Sequence, residues 1–235
     1  MNNQPQISVI IPVFNEAKVI RDTLSQFDDD FCLEIIVVDS GSSDHTQEIV
    51  RFLGQTNSQL HLIISLDRGR AKQMNYGAKF AKGEILLFLH ADTHLPKNYQ
   101  EIIKQISQKK TNILGAFKLA IAGKEACLRI VEWLVNWRSR LFALPYGDQA
   151  IFLTKQNFQL LGGFPELPIM EDFELVKQAK KHGKVEIAST AVITSARRWQ
   201  KLGVWKTTLI NQVIIIGYYL RIPLEKLRWF YCYFA

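Results

Sequence analysis

His90, Asp92 and His94 occupy alternate positions immediately after the apolar run 85–89. A carboxylate flanked by two imidazoles can hold a divalent cation that keeps open positions for phosphate oxygens. The plainer role for Asp92 is to cap a helix beginning near Lys97. Residues 85–89 are continuously hydrophobic, as in a strand buried on both faces of a parallel sheet, and Pro96 stops the strand from running on. In open α/β sheets ligands bind beyond the carboxyl ends of the strands, and an extended chain projects alternate side chains to one side. The three side chains are therefore expected together at one sheet edge.

Other residues suit phosphate and hydroxyl chemistry. Asp39 ends a second apolar run, 33–38, and precedes Ser40-Gly41-Ser42-Ser43. Its carboxylate can accept the ring N–H of a base while the backbone at Gly41 approaches closely; the alternative, capping that turn, falls more naturally to Asp44 in a capping box with Gln47. Arg68 and Arg70 flank Gly69 before a helix, where cations can meet a diphosphate or stack on a base, or simply form a solvated basic face. Asn75 lies near the same helical face. The turn Pro145-Tyr146-Gly147-Asp148-Gln149 exposes an Asp and a Gln to sugar hydroxyls or to a metal's outer shell, and Gly162-Gly163 lets backbone come close to a ligand. Glu171 and Asp172 open a helix whose dipole stabilises them; the same placement holds an ionised carboxylate rigidly, as a general base requires. Arg198 can offset charge on a departing diphosphate, and Trp199 can stack on an acceptor ring.

These groups need a scaffold. Strand runs at 7–14, 33–38, 60–65 and 85–89 alternate with helical stretches at 17–27, 44 onward and 69–82. Such alternation means βαβ units and a parallel sheet, and right-handed crossovers collect the loops 12–16, 39–43, 67–70 and 90–94 on one edge. Beyond Pro96 helices are expected at 98–108, 124–142 and 173–181, with strands at 113–121 and 150–154. The expected fold class is α/β: a mostly parallel, Rossmann-like sheet with helices on both faces and an apolar helical segment at the C-terminal end.

A chain of 235 residues, 48% hydrophobic, supports one large domain with appendages and excludes general disorder. A net charge of +7 and a pI near 9.3 call for an anionic partner. Cys32, Cys127 and Cys232 are odd in number and lack metal-type spacing, which favours a reducing compartment; the polar first residues lack the pattern of a signal peptide, so a cytoplasmic location is expected. The apolar stretch 209–220 is shorter than the ~20 residues that span a bilayer. With Arg221, Lys226 and Arg228 nearby it suits an interfacial helix on the inner membrane face, and a dimer interface is the competitor.

The segments Val9 to Glu16, Ile36 to Asp44, Gly69 to Gly77 and His90-Ala91-Asp92, followed by Gly162-Gly163-Phe164 and Glu171-Asp172, resemble a family 2 glycosyltransferase of GT-A fold over roughly residues 7–190. The resemblance implies a domain over 1–200, with a nucleotide-sugar half at about 7–96 and an acceptor half at about 97–200, and an appendage at 201–235. It implies inverting transfer from a nucleotide-diphosphate sugar, UDP-linked, to a hydroxyl acceptor. Donor contacts fall on Pro12, Val13, Asn15, Glu16, Asp39, Gly41, Arg68, Arg70, Asn75, Ala91 and Arg198. Acceptor contacts fall on Asp148, Gln149, Gly163 and Trp199, and the general base on Asp172 with Glu171 as the alternative. Asp92, His90 and His94 would hold a divalent cation; since His90 replaces the first Asp of the usual Asp-x-Asp, Mn2+ is favoured over Mg2+. Nucleic acid is not an expected partner, whereas peripheral membrane contact and a homodimer are. Ser195 stands where processive synthases carry the Gln of Gln-x-x-Arg-Trp, which argues against polymerisation. The motifs around Asp148, Asp172 and Arg197-Arg198-Trp199 are similar to a small bacterial subgroup labelled arsenosugar-biosynthesis glycosyltransferases. The rivals are sugar transfer to a polyprenyl-phosphate or other lipid acceptor at the membrane surface and a nucleotide-binding module without catalysis.

Overall fold

The computed structural model describes residues 6–27 and 33–234; Cys32 lies outside them. The first half alternates as β1 (Ile7–Val13), α1 (Ile20–Ser25), β2 (Leu33–Asp39), α2 (Thr46–Gly54), β3 (Leu60–Ile64), α3 (Arg70–Phe80) and β4 (Ile85–Phe88). The second half runs β5 (Thr93–His94), α4 (Tyr99–Ser107), β6 (Asn112–Ala122), α5 (Ala126–Phe142), β7 (Ile151–Thr154), α6 (Lys155–Leu160), α7 (Glu171–His182), β8 (Lys184–Ser195), α8 (Arg197–Leu202), α9 (Val204–Tyr219) and α10 (Leu224–Phe234).

All eight strands form one sheet, ordered β3-β2-β1-β4-β7-β6-β8-β5. Its first four strands pair in parallel, as the alternating pattern requires. β7 enters antiparallel to both β4 and β6, and β5 is antiparallel to β8, so parallel pairing is confined to the first half and to β6 with β8. Side chains of period two separate cleanly: Val9, Ile11, Val37 and Leu87 enter a core on one face, and Ile10, Ile36, Val38, Leu86 and Phe88 enter a core on the other. Burial on both faces is why these strands read as unbroken apolar runs, each large side chain contributing about 1.5–3 kcal/mol. α3 lies so close to the sheet that a Cβ at Gly77 would come within 2.7 Å of Ile10 and 2.9 Å of Val38.

The extended path expected from 85 to 94 does not occur. The chain turns at His90, whose carbonyl accepts from the Thr93 N–H at 3.2 Å, and resumes as the two-residue β5 on the far edge of the sheet. No helix among the described residues is long and apolar enough to cross a membrane. Cys127 and Cys232 are free thiols.

Candidate active site

The carboxyl ends of β1 and β2 are level, Val13 facing Asp39 in the register. Two loops meet there and are sewn together. The Asn15 N–H donates to the Ser42 hydroxyl at 2.8 Å, Ser43 N–H donates to Asn15 Oδ1 at 2.8 Å, and Ala17 N–H donates to Asp44 Oδ2 at 3.0 Å. Asn15 adopts a φ of 57°, a left-handed conformation that Asn tolerates. Gln73 reaches up from α3 and donates to the carbonyls of Val13 and Val38, a brace unremarked in the sequence because an isolated Gln carries no motif. Pro12 and Val13 thus belong to the rigid end of β1.

Asp39 is fully buried. Its Oδ1 accepts from Gly41 N–H, Ser42 N–H and Gln47 Nε2 at 2.8–2.9 Å, so it does cap the turn, and Gln47 serves Asp39 instead of closing a capping box with Asp44. Asp44 meets the Thr46 N–H and the β1–α1 loop. Asp39 Oδ2 is buried without a partner among the described residues. A buried acceptor left unpaired costs about 1–3 kcal/mol, and a ligand N–H removes that cost.

His90, Asp92 and His94 face three ways, because the turn at His90 abolishes the alternation of an extended strand. His94 Nε2 lies 3.0 Å from Asp22. His90 Nε2 lies 3.3 Å from Arg70 and beside Gly147; burial, and then the Arg70 charge, pull its pKa down to about 3, so the ring is neutral. Asp92 Oδ2 accepts from Arg197 Nη2 at 2.9 Å, and the same nitrogen meets Glu16 Oε2 at 3.0 Å. Burial raises the pKa of Glu16, opposed by Arg197. Among the described residues no three ligating side chains converge. Arg68 stacks over the exposed Phe14 ring, 4.9 Å from its centre, and the Ala91 carbonyl accepts from Thr23.

Across the edge, Met170 takes a φ of 70° and aims the start of α7 inward. Asp172 Oδ2 accepts from Gly147 N–H at 2.6 Å and Oδ1 from Phe173 N–H at 2.7 Å. Glu171 is buried, 3.5 Å from Arg70, and burial raises its pKa against the pull of that guanidinium. Asp148 has a buried, unpartnered Oδ1, and burial pushes its carboxyl up to about 6, with Arg138 pulling down. Arg70, His90, Gly147, Phe164 and Asp172 line a small cleft.

Five sequence candidates are engaged in holding the fold. Gln149 is wholly buried, bonded to Ser139, Tyr146 N–H and the Phe117 carbonyl. The Asn75 amide pairs with both backbone groups of Phe164, and a Cβ at Gly163 would strike Asn75 Oδ1 at 2.8 Å. Arg198 turns away from the edge, stacks on Tyr231 and bonds its hydroxyl. Trp199 packs under β6 and α5, its Nε1 buried without a partner. Arg197, unassigned by the sequence reading, holds the position at Asp92.

The family model described as Glycosyl transferase family 2 matches residues 8–152. A probable glycosyltransferase, YdaM, of Bacillus subtilis is 26% identical over 197 residues, covering 74% of this chain and 46% of that protein. An uncharacterized glycosyltransferase of Rickettsia felis is 31% identical over 191 residues, 73% of this chain and 31% of that protein. The chain therefore spans less than half the length of these curated relatives. Among solved structures, a Pyrobaculum calidifontis mannosyltransferase in complex with GDP-Man and Mn2+ superposes with a TM-score of 0.69 at 21% identity, covering 99% of this chain and 70% of that one. Staphylococcus aureus TarS in complex with UDP-GlcNAc gives 0.63 at 21% identity, covering 81% of this chain and 58% of that one. At this identity the superpositions establish the GT-A fold.

Proposed function

The chain belongs to glycosyl transferase family 2, and from that premise we propose that it moves a sugar from a UDP-linked donor to a hydroxyl acceptor with inversion, using residues 7–96 for the donor and 97–200 for the acceptor. The observation that carries the donor half is Asp39: one oxygen is saturated by the turn, and the other is buried and unpaired, an acceptor matched to the ring N–H of a pyrimidine base. The stapled loop of Asn15 and Gly41 presents backbone beside it, and Arg68 and Arg70 supply positive charge on the same edge.

A divalent cation suits the spot where Glu16 and Asp92 converge on one guanidinium nitrogen, since a carboxylate pair with substrate phosphates and water is the usual setting for Mg2+ or Mn2+. His90 and His94 stand apart from it. Bound there, the ion would supply Lewis-acid charge against the diphosphate. Arg197 is the chain's own cation at that place. Asp172, held rigid by Gly147 N–H, takes the acceptor proton, while neutral His90 and Arg70 shape the cleft beside it. Within the family, the resemblance of the motifs around Asp148, Asp172 and Arg197-Arg198-Trp199 to the arsenosugar-biosynthesis subgroup supports placing the chain there as the finer reading. A polyprenyl-phosphate or other lipid acceptor is the second reading, favoured by the exposed apolar side chains of α9.

Calorimetry with UDP and GDP, with and without Mn2+, tests the reading. UDP should bind the wild-type chain, more tightly with Mn2+, and Asp92→Ala should lose the cation dependence. Absence of nucleotide binding in any condition removes the donor assignment; equal affinity with and without Mn2+ removes Asp92 from cation binding.

A further inference from the structure

Two helices carry full-length apolar stripes that nothing described covers. On α9, Trp205, Leu209, Val213, Ile216 and Leu220 recur every three or four residues and are 37–69% exposed, while Thr207, Ile210, Ile214 and Gly217 turn inward. On α5, Ile130, Trp133, Trp137 and Leu141 repeat the pattern at 48–64% exposure, with Leu128, Val131 and Ser139 inward. The two helices touch, and α10 packs on α9, leaving between α9 and α10 a groove of about 500 Å³ walled by Val213, Ile222, Leu227, Trp229 and Phe230, with Glu225 and Lys226 also lining it. Single exposed apolar residues need no explanation; contiguous stripes on adjoining helices mark a docking surface.

Charge identifies the occupant. From residue 196 onward the sequence carries seven Lys or Arg and one acidic residue, Glu225, so six of the chain's seven net positive charges lie in its last forty residues. Lys201, Lys206, Arg221, Lys226 and Arg228 are exposed, and none has an ion-pair partner among the described residues. A second copy of this chain would bring like charge against these stripes. An anionic bilayer satisfies both features: indole and phenol rings suit headgroup depth, long basic side chains reach the headgroups, and helices too short to span lie in the interface. We propose that the stripes of α5 and α9, with the α9–α10 groove, dock on an anionic lipid bilayer, the groove taking a lipid chain of that bilayer. The groove's α10 wall is tied to the candidate site, because Arg198 of α8 holds Tyr231 of α10 and its neighbour Arg197 holds Asp92.

Co-sedimentation with vesicles of phosphatidylcholine alone, and with about one third phosphatidylglycerol, tests the proposal on the full chain, and UDP binding is measured alongside to keep it separate from the transfer reading. The wild-type chain should pellet with the anionic vesicles, weakly with the neutral ones, and less as salt is raised. Trp205→Ser with Leu209→Ser should weaken pelleting by about tenfold or more, and Lys206→Glu with Arg228→Glu should remove the preference for anionic lipid. Brominated lipid should quench wild-type tryptophan fluorescence, a reading that needs no variant to fold. No pelleting and no quenching overturns the proposal, as does a concentration-dependent dimer that the Trp205→Ser, Leu209→Ser variant dissociates.

Discussion

Asp172, proposed above as the acceptor base, is also a helix-end group. Its two backbone donors fix it in place and use one lone pair on each oxygen, leaving a second on each toward the cleft. Asp172→Asn keeps the outline, but its NH2 cannot accept the second backbone N–H, so it forfeits one hydrogen bond, about 1–3 kcal/mol, with up to about 1 kcal/mol of helix-dipole stabilisation, less than the stability of a domain of this size. Transfer, measured as product formed, should therefore fall by about 10²-fold or more while UDP affinity stays within experimental error. Transfer at the wild-type rate would move the base to Glu171. Asp148 supplies the pH reading. Burial holds its carboxyl near 6 against an ordinary 3.8, so the folded chain keeps a proton that the unfolded chain has released. Its contribution to stability is complete below about 4 and is lost as pH rises through about 6. Urea unfolding across that window should show stability falling in the wild type and a flatter profile in Asp148→Asn; identical profiles would mean that Asp148 is solvated. The residue chemistry was partly legible. Asp39 and the carboxylates opening α7 could be picked out because a turn or helix start follows each at once. Arg197 could not be separated from Arg198, since which of two adjacent arginines faces Asp92 depends on how the chain enters α8 from β8.

At the scale of elements, the strands of the first half could be read because each is buried on both faces and flanked by turn residues. β8 was not legible. Its burial alternates irregularly, its pairing with β6 shifts register twice, and Lys184, Glu186 and several threonines and serines mask the apolar period. β5 is two residues long, below any periodic signal. The turn from His90 to Thr93 contains no Gly, Pro or Asn, and its one turn-forming residue, Asp92, reads equally as a metal ligand, so the three expected ligands were separated by a turn that left little local trace. Gln149 was misleading for a related reason: the Pro-x-Gly turn suggested an exposed amide, whereas the turn folds back and buries Gln149 under Phe117.

At the scale of the whole molecule, Arg197 joins parts of the chain that sequence keeps far apart, bonding Glu16 across 181 positions and Asp92 across 105. The pairs are partly exposed, Arg197 at 45%, Glu16 at 26% and Asp92 at 23%, so solvent screens them and their contribution to stability is no more than about 1 kcal/mol. Their electrostatic effect on the site is larger, because a fixed guanidinium between two carboxylates competes for the position a divalent cation would take. Arg197→Gln removes that competitor and leaves Glu16 and Asp92 with unbalanced negative charge. Calorimetry of Mn2+ without nucleotide should show affinity several-fold higher in Arg197→Gln than in the wild type, with the unfolding midpoint nearly unchanged. The same variant should bind UDP more weakly in the absence of Mn2+, because it has lost the guanidinium held at Asp92, where it would stand beside the diphosphate. If Mn2+ affinity were unchanged, the Glu16–Asp92 position would be a closed ion pair serving the fold, and the cation would have to bind elsewhere on the edge. If instead the unfolding midpoint fell steeply, Arg197 would be a fastener of the C-terminal segment, and its proximity to Asp92 would carry no catalytic meaning.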